Sequence, residues 1–163
     1  MADYQLLRKL NLKNPWHLLA VGLGSGLSPK APGTCGSFLA MFFCMALLMA
    51  PWYVTPLVAI VVFFIGVKAC NEAEKAMGIH DHGGLVIDEF VGMFISIIAF
   101  PQGAWYLAIL AFALFRFFDI LKPFPVSYAD RNIKGGLGVM VDDVLAGIYA
   151  LLSGHIILYF LPL

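Results

Sequence analysis

Residues 84–93 read Gly84-Leu-Val-Ile-Asp88-Glu89-Phe-Val-Gly-Met93, and the rest of the chain is read from them. Two adjacent carboxylates open an apolar run that meets no further charge until Arg116. An ionised side chain costs roughly 2.5–3.5 kcal/mol at a bilayer centre and less near its edge, so an uncompensated pair would cost roughly 5–7 kcal/mol. A bound divalent cation is one offset, and an acid inside a membrane marks a functional site by default.

Composition says whether those surroundings are a membrane. The 163 residues are 61% hydrophobic and 12% charged, with a mean hydropathy of +0.89. Soluble chains carry about 25% charged residues. These values fit one integral membrane domain over residues 1–163. Ten basic and ten acidic side chains cancel, which points to neither a nucleic-acid surface nor an acidic tail. No obligatory protein partner is readable. The first apolar run follows a polar segment and lacks a small-residue cleavage site, so no signal peptide is expected. Cys35, Cys44 and Cys70 are odd in number and lack metal spacing, and they read as buried free thiols.

Outward from residues 84–93, the fold class expected is an all-α membrane bundle of about five embedded helices. The predicted spans are residues 36–50, 56–70, 85–100, 104–121 and 139–161, several of them short of the ~20 residues a full crossing needs. Residues 1–20 mix leucines with Arg8, Lys9 and Lys13 ahead of Pro15 and Trp16, which predicts an amphipathic arm on the membrane surface. The turns at 51–55 and 101–103 carry no charge, and the twenty charged side chains fall toward the opposite face. Lys and Arg favour the cytoplasmic side, so that face is expected to be cytoplasmic.

This topology brings Asp88, Glu89, Asp119, Asp142 and Asp143 to one depth from three helices. Hard oxygen donors in that number suit Mg²⁺, which shares its shell with water and substrate phosphate. The structural alternative is ion pairing with Arg116, Lys122 or Arg131, and it fits Asp119 best, since Arg116 and Lys122 lie three residues to either side. Residues 22–37 (GLGSGLSPKAPGTCGS) offer glycines for close backbone approach, hydroxyls on Ser25, Ser28, Thr34 and Ser37, and the charge of Lys30. They are either a phosphate loop leading into a helix near Cys35 or a plain Pro/Gly connection. Neither the P-loop pattern nor the dinucleotide fingerprint is matched. His80-Asp81-His82 is either a metal or proton-handling site or a solvated loop. His17 and His155 stand alone and read as interfacial or packed. The same acids would also suit a cation transporter or channel. Against that, they gather at one depth, and no inverted repeat is visible.

Four blocks taken together resemble one family. They are GLGSGLSPKAPGTCGS, HDHGGLVIDEFVGM, FRFFDILKPFP followed by DRN, and GGLGVMVDDVLAG, in order across roughly residues 14–147. The chain is similar to phosphatidylglycerophosphatase A. The resemblance implies a Mg²⁺-dependent lipid phosphatase of the bacterial inner membrane, converting phosphatidylglycerophosphate to phosphatidylglycerol and inorganic phosphate. On that reading Asp88, Glu89, Asp119, Asp142 and Asp143 hold metal. Arg116, Lys122 and Arg131, with Ser25, Ser28, Lys30, Thr34 and Ser37, hold phosphate oxygens. His82 or His80 protonates the leaving oxygen. Direct attack by water and a phosphoaspartate intermediate both remain open. A phosphatidyltransferase is disfavoured because its D-G-x-x-A-R pattern is absent.

Overall fold

The computed structural model describes residues 4–161, all helical where regular, with no strand among them. The elements are α1 (Tyr4–Leu7), α2 (Pro15–Ala20), a 3₁₀ segment (Gly22–Leu27), α3 (Pro32–Leu48), α4 (Val54–Met77), α5 (Ile87–Ser96), α6 (Leu107–Leu121), α7 (Val126–Asn132) and α8 (Gly135–Phe160). Local chemistry explains several boundaries. Asn14 caps α2 by accepting from the Trp16 amide, and Pro15 takes the first helical position. Gly78 closes α4 in the left-handed conformation, its amide donating to Glu74 O. Lys122 ends α6 in the same conformation, unusual for a side chain with a Cβ, and Pro123 follows.

The bundle is built around α5, which packs against α8, α4, α3 and, more lightly, α6. Nearly all of its side chains are buried. At 10 residues it is about 15 Å long, roughly half of a ~30 Å hydrocarbon layer. The expected crossing at 85–100 is therefore not a span. Two helices, α4 with 24 residues and α8 with 26, are long and apolar enough to cross a membrane, where five were expected. Hydropathy alone could not separate α5 from a span, because a helix enclosed by protein and one facing lipid have the same apolar composition. The apolar stretches of α4 and α8 are only 28% buried, whereas the core helix of a soluble protein is mostly covered. Aromatic rings at 52, 53, 105 and 106 stand exposed at one end, as at a membrane–water boundary. The expected membrane association stands on these two helices.

The two uncharged turns meet. Gly103 N donates to Leu48 O and Gln102 Nε2 to Ala50 O, both at 2.9 Å. Asn71 Oδ1 accepts from Gly136 N at the opposite, charged end. The N-terminal arm is held against the bundle. Leu7, Leu10, His17 and Ala20 are buried, Lys9 Nζ donates to Met77 O, and Val86 N donates to Ala20 O. It forms a collar on the ends of α4 and α5, with Leu7 and Leu10 packed against protein and Leu12 exposed; residues 1–3 of the arm lie outside the described residues. Cys44 and Cys70 are buried free thiols as expected, while Cys35 is half-buried.

The α5–α8 contact is a backbone contact. A Cβ on Gly147 would stand 2.5 Å from Gly92 O, and one on Gly92 would stand 2.9 Å from Asp143 O and 2.3 Å from the Phe115 ring. No rotamer relieves a clash with backbone, so only glycine fits. Gly147→Ala is expected to destabilise the fold by about 1–3 kcal/mol, a fall of several degrees in Tm read by thermal unfolding in detergent. Gly83→Ala, where a Cβ meets nothing within 4 Å, is expected to leave Tm unchanged.

Candidate active site

Asp88 and Glu89 occupy the first turn of α5, where the exposed amides and the helix dipole favour negative charge. The Asp88 carboxylate accepts from the Glu89 amide at 3.0 Å. One turn along, Gly92 admits α8 at Asp143, so Asp142 and Asp143 are brought up against the acids of α5. Asp88 lies within electrostatic reach of Glu89, Asp119, Asp142 and Asp143. Five carboxylates from α5, α6 and α8 thus face one region at the charged end of the bundle. They do not string across it, which leaves the cation-pathway reading without support.

Two cations hold this cluster. Arg116, on α6, donates to Glu89 and to Asp119, each at 2.7 Å, and to Ser37 Oγ at 3.3 Å. Ser37 in turn donates to Glu89 and also reaches Gly33 O, so α3 is tied to α5 and α6 at this point. The fit there is close: a Cβ on Gly33 would stand 2.3 Å from Glu89 Oε1. Lys122 bridges Asp130, on α7, and Asp142, the latter at 2.8 Å. Burial alone would lower the Lys122 pKa, but its hydrogen bonds to the two carboxylates and their charges outweigh this and hold the ammonium above the usual lysine range.

The ion-pairing alternative therefore holds in part: Asp119 is the partner of Arg116. It does not account for every acid. Asp142 Oδ1 and Asp143 Oδ2 are buried with no hydrogen-bond partner, as is Arg116 Nε. Buried polar atoms are rarely left in that state, and two hard carboxylate oxygens on consecutive residues are donors that a divalent cation accepts. Among the described residues no three His, Cys, Asp or Glu side chains are already drawn into a ligand set. In this arrangement Arg116 and Lys122 engage Glu89, Asp119 and Asp142.

Other expected residues lie elsewhere or act locally. The 22–37 stretch is not one loop: residues 22–27 form the 3₁₀ segment, with Leu23 and Gly24 at positive φ, and α3 already begins at Pro32. Ser25 Oγ donates to Gly22 O and Ser28 Oγ to Lys30 O, so both hydroxyls stabilise the turn. Lys30 is exposed, and Thr34 sits half-buried in the first turn of α3. His80 pairs with Glu74 at 2.6 Å on the surface. His82 is buried, and its Nδ1 accepts from the Gly84 amide. Arg131 is exposed on α7, while its neighbour Asp130 makes the contact with Lys122. Sequence reasoning missed Asp130 and did not single out Gly33. The block DRN held the first beside the residue that was chosen, and the second lay among the 22–37 glycines expected to allow close backbone approach, with nothing to say that its neighbour would be Glu89.

Comparison with known proteins gives one family. A family model described as phosphatidylglycerophosphatase A matches residues 18–158. A phosphatidylglycerophosphatase A of Escherichia coli K12 is 46% identical over 153 residues, 94% of this chain and 87% of that protein. One from Haemophilus influenzae is 46% identical over 162 residues, 99% of both chains. A Bacteroides thetaiotaomicron relative, provisionally named a phosphatidylinositol-3-phosphatase, is 44% identical over 140 residues, 82% of this chain and 87% of that one. No solved structure matches.

Removing Arg116 leaves Glu89 buried without its counter-charge. Arg116→Met is expected to cost about 3–5 kcal/mol of stability, read by unfolding in detergent, and adding Glu89→Gln is expected to recover much of that loss. Additive losses in the double variant would show that the two side chains do not act as a pair.

Proposed function

The chain belongs to the phosphatidylglycerophosphatase A family, and from that premise we propose how its buried acids remove the terminal phosphate of phosphatidylglycerophosphate. The protein is a lipid phosphatase whose products are phosphatidylglycerol and inorganic phosphate. The observation that carries the mechanistic reading is the pair of unpartnered oxygens on Asp142 and Asp143 beside Asp88.

Asp142, Asp143 and Asp88 are the residues that would hold Mg²⁺, with Glu89 close behind them. Bound there, the cation supplies the charge neutralisation that a phosphomonoester dianion needs beside so many carboxylates. The chain's own groups do the rest. Arg116 offers a second positive charge, and Glu89, Asp119 and Ser37 fix the direction of its guanidinium in advance. Such preorganisation matters because phosphoryl transfer depends on positioning and charge stabilisation. Lys122, already shared between Asp130 and Asp142, is poised to exchange one carboxylate for a phosphate oxygen. The first turn of α3 at Gly33 and Thr34 adds backbone amides on the same side. A carboxylate of Asp88 or Asp143 orients the attacking water or attacks phosphorus itself. His82, buried in the loop before α5, is the nearer in sequence of the two histidines for protonating the leaving oxygen.

The membrane in question is the bacterial inner membrane with the site on its cytoplasmic face. The bacterial relatives and the confinement of charge to one end of the bundle support this.

Phosphate release from phosphatidylglycerophosphate in mixed micelles tests the function. Wild type is expected to turn over with Mg²⁺ and to stop in EDTA, while Asp88→Asn and Asp142→Asn lose about a hundredfold or more in kcat. Phosphatidylinositol 3-phosphate runs beside it, and faster release from that lipid would reassign the headgroup. Saturating Mg²⁺ is expected to raise Tm in wild type by stabilising the native state, and not in Asp142→Asn combined with Asp143→Asn. An equal rise in both would remove these acids from the metal site.

A further inference from the structure

A lateral groove of about 410 Å³ lies between α4, α5 and α8, and every residue lining it is apolar. Its walls include Ala59 and Phe63 of α4, Val91 and Ile95 of α5, Ile98 just beyond, and Val144 of α8. Nothing in the reaction scheme above uses it. Its placement relative to the acids is informative. Asp88, Val91 and Ile95 stand at i, i+3 and i+7, so the groove runs down the face of α5 that carries Asp88. Val144 directly follows Asp143. On α4, positions 63, 59 and 56 line the groove in order away from the charged end of that helix. On α5 the groove therefore starts about one helical turn, roughly 5 Å, from Asp88, and on both α5 and α8 its lining begins beside the acids and leads toward the uncharged end. Its outer wall is α4, one of the two helices fit to cross a membrane.

We infer that this groove seats one acyl chain of the lipid whose phosphate lies at Asp88, Asp142 and Asp143. The inference rests on the phosphatase reading and adds a tail subsite to it. A phospholipid joins a charged head to an apolar chain through a short glycerol link, and the gap of one turn between acids and groove accommodates that link. The chain moves from one apolar environment to another, so the groove gains little from the hydrophobic effect. It acts by packing, which fixes where the phosphate sits relative to the acids. The effect is therefore expected in turnover of long-chain substrate, and a substrate too short to enter the groove escapes it.

Two measurements test this. The first compares long-chain and dihexanoyl phosphatidylglycerophosphate as a ratio of kcat/KM. Ile95→Phe and Ile98→Trp, which fill the groove, are expected to lower the ratio about tenfold relative to wild type. Leu57→Trp, exposed on α4 outside the groove, is expected to leave it unchanged. A ratio unmoved by both fillers, or moved as much by Leu57→Trp, overturns the inference while the phosphatase stands. No release by wild type from either substrate overturns the phosphatase reading, and the tail subsite with it. The second uses the unsubstituted protein and a substrate analogue with a photoreactive group midway along one acyl chain. Crosslinks are expected at positions 59, 60, 63, 91, 95 and 98 and are displaced by unlabelled substrate. Crosslinks spread evenly over the outer surface, or centred on the separate groove at Phe43 and Phe94, overturn the assignment.

Discussion

Two glycines, Gly92 on α5 and Gly147 on α8, let the backbones of these helices touch, and the arrangement of the acids depends on that contact. With side chains at either position α8 would stand off by the width of a methyl group or more, and Asp142 and Asp143 would move away from Asp88 and Glu89. The close approach concentrates charge that would otherwise repel. Repulsion between acids in a poorly hydrated site is large, so the contact survives only because something answers it. The first turn of α5, Arg116 and Lys122 answer part of it, and the unpartnered oxygens of Asp142 and Asp143 mark the remainder.

Structure and chemistry are thus coupled through the same groups. Arg116 has its Nη1 engaged by Glu89, Asp119 and Ser37, which ties α3, α5 and α6 together and aims a fixed positive charge into the site. Lys122 does the like for α7 and α8, and it does so from a left-handed residue at the end of α6. A non-glycine residue held in that conformation carries a modest cost, and its persistence here accompanies an ion-pair network beside the clustered acids.

Much of this was legible in the sequence. The helical class, the gathering of five acids at one end and the pairing of Asp119 with Arg116 all follow from hydropathy, charge placement and three-residue spacing. The number of crossings did not follow. α5 reads as a span because burial in protein and exposure to lipid select the same side chains, and only its length of 10 residues separates them. The 22–37 stretch reads as one loop because Gly, Pro and Ser obscure the start of α3 at Pro32. The partners of Gly33 and Gly92 were invisible for another reason. The importance of these glycines lies in what a missing Cβ allows a distant helix to do, and no local pattern encodes a neighbour 50 residues away.

The shortness of α5 also makes the molecule one-sided. Its acids sit at one end of a helix about 15 Å long, and the opposite end of the bundle is closed by uncharged turns stitched through Gly103 and Gln102. If these acids are the catalytic groups proposed above, lipid headgroups in only one leaflet can meet them. A vesicle holding substrate in both leaflets would be emptied in two stages, the first at the pace of hydrolysis and the second at the pace at which lipids change sides. The phosphatase would then work as a reporter of transbilayer movement.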